Sequence, residues 1–522
     1  MATQLPKPHG TNFHSSGLRQ KVDQLMDILW AGGVNNPMDS IEQLSYLIFL
    51  RLLTEKDELL AKLDRKKYQR IFSGKWARYA WGNFVTLTGD QLFDAIRSAI
   101  ESLHELPGLS ETGKLLFSRA TLKIYDRPTL RAAIQTVHEL DLNPRDGQDI
   151  KGDMYEYLLS KIAMSGTNGQ FRTPRHIIAM IVELVGPRPG LRVCDPACGT
   201  AGFLIASFNH ILRQNTSKAA LAKGVADGDL LRAAQWKFLE EHAFTGYDND
   251  ANMVKIAILN LYLHQLEKAN IEFHNPLTTG KGSPYPGLTF DIVLANPPFA
   301  GKIQEDSILT DINLKTRDTE LLFLKWFIDH LAPRGRAGVI VPNGVLFGST
   351  KAARKVRELL LKDCDLQAVV NLPSGVFKPY SGVGTAALIF EKSAVSPAVA
   401  PGFSPASAAL KGGATRGATQ SVWFYDLTAD GFSLDDKRTP IAANDIPDLL
   451  TKWPKRDEGP NSYRVPIEKI RENDFSLAAG RYKPVVVEVV KHDHPSKILA
   501  EVLTIEERIG RQAQKLMGEV GK

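Results

Sequence analysis

The chain has 522 residues, a formal net charge of +6, 43% hydrophobic residues and only three cysteines, Cys194, Cys198 and Cys364. Such a length has room for about three or four domains and a large core, and so few cysteines exclude a disulfide framework or a zinc site. The modest basic excess is compatible with nucleic acid without specifying it. Met1 to Pro8 has no signal-peptide apolar core, and the longest apolar run, Leu44 to Leu53, is broken by Arg51 and too short to span a bilayer. The expectation is a cytoplasmic protein with no membrane role.

Residues 1–150 read as a helical domain. Leu18, Val22, Leu25, Met26 and Leu29 make one amphipathic stripe, and Asp39-Ser40 is expected to precede a buried helix containing Leu44, Leu47, Ile48 and Leu52. From about Tyr155 to Lys392 apolar strands alternate with helices, including Ala337 to Val341 and Leu366 to Val370, a doubly wound α/β pattern.

The first strand of that pattern, Leu191-Arg192-Val193-Cys194-Asp195, runs into Pro196-Ala197-Cys198-Gly199-Thr200-Ala201-Gly202 and a helix from Phe203 to Leu212. Gly199 and Gly202 permit close backbone approach and positive φ, and the helix offers free amides at its N-terminus. The glycine spacing is not the Gly-x-Gly-x-x-Gly of dinucleotide sites, and the turn opens with an acid. Asp195 would repel a pyrophosphate but suits the cationic methionine portion of S-adenosyl-L-methionine (AdoMet); an ordinary tight turn is the alternative. The next strand, His242 to Asp248, also ends in a carboxylate, placed to bind ribose hydroxyls. Asp250 is a weaker candidate because it reads as the N-cap of the helical pattern Met253 to Leu266.

A further apolar strand, Asp291 to Ala295, ends in Asn296-Pro297-Pro298-Phe299. Two prolines cannot continue a central strand's ladder and force a rigid exit, which holds Asn296 at the strand's carboxyl end, where open α/β sheets bind ligands. If the Asn296 side-chain oxygen and the Pro297 carbonyl each accept one hydrogen of a planar exocyclic amine, its nitrogen can pyramidalise and aim its lone pair at an electrophile. Phe299 supplies a stacking face for an extruded base, worth roughly 1–3 kcal/mol against the few kcal/mol needed to unstack it. A rigid turn with a core Phe is the bland reading. No cysteine follows a proline, so the Pro-Cys nucleophile of cytosine C5 methylation is missing, and Cys198 reads as a small packing residue.

Gly169 to Arg175, Asp195 to Leu204 and Asn296 to Phe299, in this order and spacing, resemble the modification (M) subunits of type I restriction-modification DNA methyltransferases, over nearly the whole chain as far as Tyr482. The resemblance implies an AdoMet-dependent (Rossmann-like) methyltransferase fold and methylation of the adenine N6 amine in double-stranded DNA. It also implies cofactor contacts from Gln170, Phe171, Thr173, Pro174 and Arg175 beside Asp195, Gly199, Thr200, Ala201, Gly202 and Asp248. Asn275 stands where similar proteins usually carry an acid, which leaves its contact to the cofactor adenine open. Sequence recognition would lie with a separate specificity (S) subunit, two M joining one S, and cleavage with a restriction (R) subunit. Methylation of a cytosine amine or a protein glutamine amide, or a DNA-binding scaffold without catalysis, are the alternatives.

The remaining elements carry less. The polar segment between Phe299 and Thr319, with Lys302, Lys315 and Arg317, either closes over a base or is a solvated loop. Lys351, Arg354 and Lys355 share a helix face expected behind a Ser349 cap, and Phe377 is either core or a second wall for the base. Ser393 to Ser421 reads as an insertion or linker within a methyltransferase domain spanning 151–482. In the extension 483–522, Ile498, Val502, Ile505, Ile509 and Leu516 recur at coiled-coil-like intervals, a candidate partner-docking helix.

Overall fold

Val339-Ile340-Val341 and Ile292-Val293-Leu294 are the continuous apolar runs of strands covered on both faces, and they lie in the middle of a nine-stranded sheet. A computed structural model of the chain describes residues 16–63, 68–107, 109–110, 113–114, 117, 120–142, 150–164, 173–278, 287–394, 418–484 and 495–520. The chain divides into two compact units, Met1–Arg481 and Tyr482–Lys522. In the second, the described element is one long helix, Pro495–Val520.

The strands are β1 (Val193–Asp195), β2 (Phe244–Asp248), β3 (Asn270–Phe273), β4 (Phe290–Ala295), β5 (Leu331–Pro342), β6 (Cys364–Leu372), β7 (Thr385–Lys392), β8 (Ser421–Asp426), β9 (Asp430–Phe432), β10 (Pro440–Asn444) and β11 (Ser462–Pro466). The large sheet has the order β11-β8-β6-β7-β5-β4-β1-β2-β3. Strands β3, β2, β1, β4 and β5 are parallel neighbours, and β7 inserts antiparallel between β5 and β6. The chain therefore winds outward from β1 to β3, returns past β1 and continues on the other side with β4. The carboxyl ends of β1 and β4 flank the point where the winding reverses, the place such sheets leave a ligand crevice. The pair β9–β10 forms a separate hairpin.

Two helix starts differ from expectation. The helix thought to follow Asp39-Ser40 spans Pro37–Leu63 and contains both residues. Pro37 presets its first turn, and Asn36 Oδ1 accepts the Met38 N–H at 2.9 Å. The helix expected behind Ser349 is capped instead by Thr350, whose hydroxyl accepts the Ala353 N–H at 3.1 Å. Its charged face is partly paired: Arg354 meets Asp474 at 2.8 Å and Lys355 meets Glu358 at 3.3 Å.

The amino-terminal helices bury the Leu18, Val22, Leu25, Met26 and Leu29 stripe and pack on the helix Ala251–Leu263 that follows β2. Phe49 lies 4.4 Å from Tyr262 between ring centroids, and Glu42 accepts from Lys255 at 2.6 Å. Nearer the crevice, the buried Arg357 fastens the helix Lys351–Asp363 to the turn after β5. It donates to the carbonyls of Val345 and Gly348, both at 3.0 Å, and to that of Phe475 at 2.9 Å. Arg357→Met should leave these three carbonyls without their guanidinium donors and lower stability by about 2–4 kcal/mol. Denaturant titration checks this, and an unchanged midpoint would contradict the assigned role.

Candidate active site

The glycine turn is built by bonds that cross strands. Strand β1 delivers Asp195, 2% exposed, whose Oδ1 accepts the Ala197 N–H at 3.1 Å. The Cys198 N–H donates to the Tyr247 carbonyl at 2.9 Å, tying the turn to β2, and the Cys198 side chain is buried. Gly199 has φ +51° with open space where a Cβ would stand, so backbone conformation is what favours glycine there. At Gly202 the reason is proximity: a Cβ would sit 2.9 Å from Ile178 Cδ1 of the helix Arg175–Val185. Ala201 itself adopts φ +64° at the N-cap of the helix Gly202–Gln214, a left-handed conformation that no glycine signalled. Asn260 supports the turn from behind, donating to the Thr200 carbonyl at 2.8 Å while its Oδ1 is buried without a partner among the described residues.

At the end of β2, Asp248 is tied into the same turn. Its Oδ2 accepts the Gly199 N–H at 3.0 Å and its Oδ1 the Asp250 N–H at 2.9 Å. Each oxygen keeps a lone pair for another donor. Asp250 occupies the N-cap of its helix, accepting the Asn252 N–H at 2.8 Å. Burial pushes the Asp195 carboxyl up to about 8, opposed by the Ala197 N–H and reinforced by the charge of Asp248. Asp248 is raised as well, first by burial, against the N–H groups of Asp250 and Gly199. After β3, Asn275 shapes a turn: its Oδ1 accepts the Leu277 N–H at 3.1 Å.

The Asn-Pro-Pro-Phe tip leaves β4 on the other side of the reversal. Asn296 Nδ2 donates to the Thr173 hydroxyl at 2.8 Å, whereas Asn296 Oδ1 is buried and has no partner among the described residues. Phe299, 7% exposed, meets Phe377 edge to face, with ring centroids 5.6 Å apart. Phe377 is thus both buried and a wall beside the tip. Pro174 caps the helix Arg175–Val185, and its carbonyl accepts the N–H groups of Ile177 and Ile178, each at 3.0 Å. Gln170 and Phe171 lie outside the described residues.

The segment after Phe299 folds back on itself. Ile303 N–H donates to the Arg317 carbonyl at 3.0 Å, Thr319 N–H to Gly301 at 3.1 Å, and Leu309 N–H reaches Leu277 at 3.0 Å. Lys302, Lys315 and Arg317 remain exposed on it.

Two features have no local signal in the sequence, and a third has only a weak one. One is the Thr173–Asn296 bond. Another is the anchor of the Arg175–Val185 helix: His176 Nε2 lies 2.8 Å from Asp430 Oδ2, which also pairs with Arg438. Burial raises the Asp430 carboxyl, but His176 and Arg438 outweigh it and hold the group below its ordinary value. The third is Asn260, whose signal was faint: a polar residue inside the apolar run from Ile256 to Leu263.

A doubly wound sheet with an acidic glycine turn after β1 and, after β4, a buried amide oxygen with no donor among the described residues defines a class of protein, the methyltransferases that act on planar amino groups. Residues 146–489 match the N-6 DNA Methylase family and residues 18–137 the HsdM N-terminal domain. The chain belongs to the N-6 DNA methylase family, among the modification subunits of type I restriction-modification systems. It is 28% identical over 519 residues to the type I restriction enzyme EcoEI methylase subunit of Escherichia coli, covering 96% of this chain and 97% of that one. It is 29% identical to the EcoKI methylase subunit of Escherichia coli K12, covering 82% and 74% respectively. In shape it is similar to a chain from a type I restriction-modification system solved for its complex assembly and conformational transition, with TM-score 0.67, 26% identity and coverage of 96% and 97%. A methyltransferase subunit from Streptococcus thermophilus, at 17% identity and TM-score 0.64 over 90% of this chain and 99% of that one, shares the fold.

Proposed function

We propose that this chain transfers the methyl group of AdoMet to the N6 amine of an adenine extruded from double-stranded DNA, as the modification subunit of a type I complex. The observation that carries this reading is Asn296 Oδ1, a buried acceptor at the reversal point with no donor among the described residues. The family match favours adenine N6 over a cytosine amine, a glutamine amide or a scaffold without catalysis.

The residues around the glycine turn fit AdoMet. Asp195 is a buried carboxylate at the end of β1, suited to the cationic methionine portion, and Asp248 keeps a lone pair on each oxygen for ribose hydroxyls. The backbone from Gly199 to Gly202 lines the approach, and the family resemblance adds cofactor contacts from Gln170, Phe171, Thr173, Pro174 and Arg175. Asn275 retains one lone pair for an adenine amine. When bound, AdoMet supplies an electrophilic methyl on a sulfonium. The protein's part is to accept both amine hydrogens at Asn296 Oδ1 and the Pro297 carbonyl, so that the nitrogen's lone pair turns out of the ring plane. Phe299, backed by Phe377, presents the stacking face. No general base is needed before the attack; the methylated nitrogen would then carry one extra proton, which would pass to solvent.

Asn296→Ala should keep AdoMet affinity and lower single-turnover methylation by at least about 10²-fold, the scale for losing a preorganised hydrogen-bond partner. A near-normal rate would remove Asn296 from the mechanism. Phe299→Ala should instead weaken capture of the flipped base.

A proton should accompany cofactor binding. With its ordinary value near 3.8 pushed up to about 8, Asp195 is largely protonated at pH 7 in the free protein and must ionise beside a cation. AdoMet binding is therefore expected to release a fraction of a proton. Calorimetry in two buffers of different ionisation enthalpy reads this release, and Asp195→Asn should abolish it. Equal enthalpies in both buffers for the native protein would refute the role.

The long helix Pro495–Val520 presents Ile498, Val502, Ile505, Ile509 and Leu516 as exposed side chains. Its apolar seam is the candidate contact for a specificity subunit, two M to one S, with a restriction subunit completing the assembly. Glu at both Val502 and Ile509 should block assembly on size exclusion while leaving AdoMet affinity intact, because a seam cannot bury charge cheaply. Unimpaired assembly would place the docking surface elsewhere.

A further inference from the structure

We propose that Thr173 is a positioning residue for methyl transfer, holding the plane of the Asn296 amide so that its oxygen is presented to the amine. The inference rests on the reading of Asn296 as amine acceptor. The two residues are 123 positions apart and meet through one bond, Asn296 Nδ2 to Thr173 Oγ1 at 2.8 Å. The other end of the same amide, Oδ1, has no partner among the described residues. An amide side chain rotates readily about its last torsion, so one end must be fixed if the other is to meet a substrate in a set direction. A hydroxyl can accept or donate. Once Oδ1 faces a donor amine, Nδ2 must face an acceptor, and the Thr173 hydroxyl serves. A hydrogen bond at Nδ2 also polarises the amide and strengthens Oδ1 as an acceptor.

Thr173 can act as a fixed post because its own support is rigid. Pro174 follows it and caps the helix Arg175–Val185. One turn on, His176 is tied to the buried Asp430, which Arg438 also holds, and its ring stacks on Phe432 at 4.6 Å. Ile178 packs against the glycine turn at Gly202. The helix is thus braced by the β9–β10 hairpin on one side and the β1 turn on the other. The post that aims the catalytic amide and the turn that receives the cofactor share one helix.

The test compares Thr173→Val, which keeps shape and loses the hydroxyl, with Thr173→Ser, which keeps the hydroxyl, in full-length protein assembled with its specificity subunit. Single-turnover methylation of plasmid DNA at saturating AdoMet should slow by about 10-fold for Thr173→Val, the upper range for one net hydrogen bond, and by no more than about 3-fold for Thr173→Ser. In an Asn296→Ala background, Thr173→Val should slow the residual reaction by less than about 2-fold, since its effect runs through the amide. Calorimetry of AdoMet binding is the second readout. If Thr173→Val loses AdoMet affinity but reacts normally at saturation, Thr173 is a cofactor contact only and the proposal falls. It falls equally if Thr173→Ser is as slow as Thr173→Val, or if the loss is the same with and without Asn296. Should Asn296→Ala react at the native rate, the amine-acceptor reading fails instead, whatever Thr173 does.

Discussion

The rest of the site depends on one buried acceptor, Asn296 Oδ1, which has no donor among the described residues. Burying a polar atom without a partner costs about 1–3 kcal/mol, so the surrounding structure has to over-determine its position or the side chain would turn to find a donor. Three constraints do so. The two prolines after Asn296 fix the chain's exit from β4, the parallel neighbours β1 and β5 fix the strand itself, and the Thr173 hydroxyl occupies the amide's other end. Under the proposed function this cost is recovered when an amine donates into the site, which is what preorganisation for a transition state requires.

Those constraints trace back to the helix Arg175–Val185. It buries Ile177, Ile178, Met180, Ile181, Val182, Leu184 and Val185, each side chain worth roughly 1.5–3 kcal/mol of apolar burial, more than enough to carry one unsatisfied oxygen nearby. Its amino end supports Thr173, its flank supports the glycine turn, and its His176 is pinned by Asp430. Cofactor turn and amine tip come from opposite sides of the winding reversal, so some element has to span the gap. This helix does, and the packing energy that stabilises the fold is also what sets the geometry of the site.

The fold's plan was legible because its signals are local. A strand ending in an acid, a glycine turn and a helix can be read from consecutive residues, and so can Asn296 to Phe299. Local reading also marked Asp250 as a helix cap, where it accepts the Asn252 N–H. It went astray where two neighbours offered the same chemistry, as with Ser349 and Thr350, or where proline overrode a polar pair, as at Pro37. It was silent wherever the information is pairwise and distant. Nothing near Thr173 announces Asn296, and nothing near His176 announces Asp430, 254 residues away. Ala201 shows a further limit: a left-handed backbone fully buried beside two glycines is set by the Cys198 carbonyl, which accepts its N–H at 2.7 Å, and not by its own side chain.

The two acids at the strand ends complete the physical picture. Asp195 and Asp248 share the glycine turn, both are raised by burial, and the charge of Asp248 adds to the rise in Asp195. A carboxyl whose folded value lies above its unfolded one binds more protons folded than unfolded, so this contribution to stability falls as pH rises from about 4 towards 8. At neutral pH the buried Asp195 carboxyl is therefore held largely in its neutral form beside Asp248. A cation bound in the proposed cofactor site would favour its ionised form. The Asn-Pro-Pro-Phe tip and the glycine turn are braced by the same packed helix, at Thr173 just before its amino end and at Ile178 on its flank against Gly202.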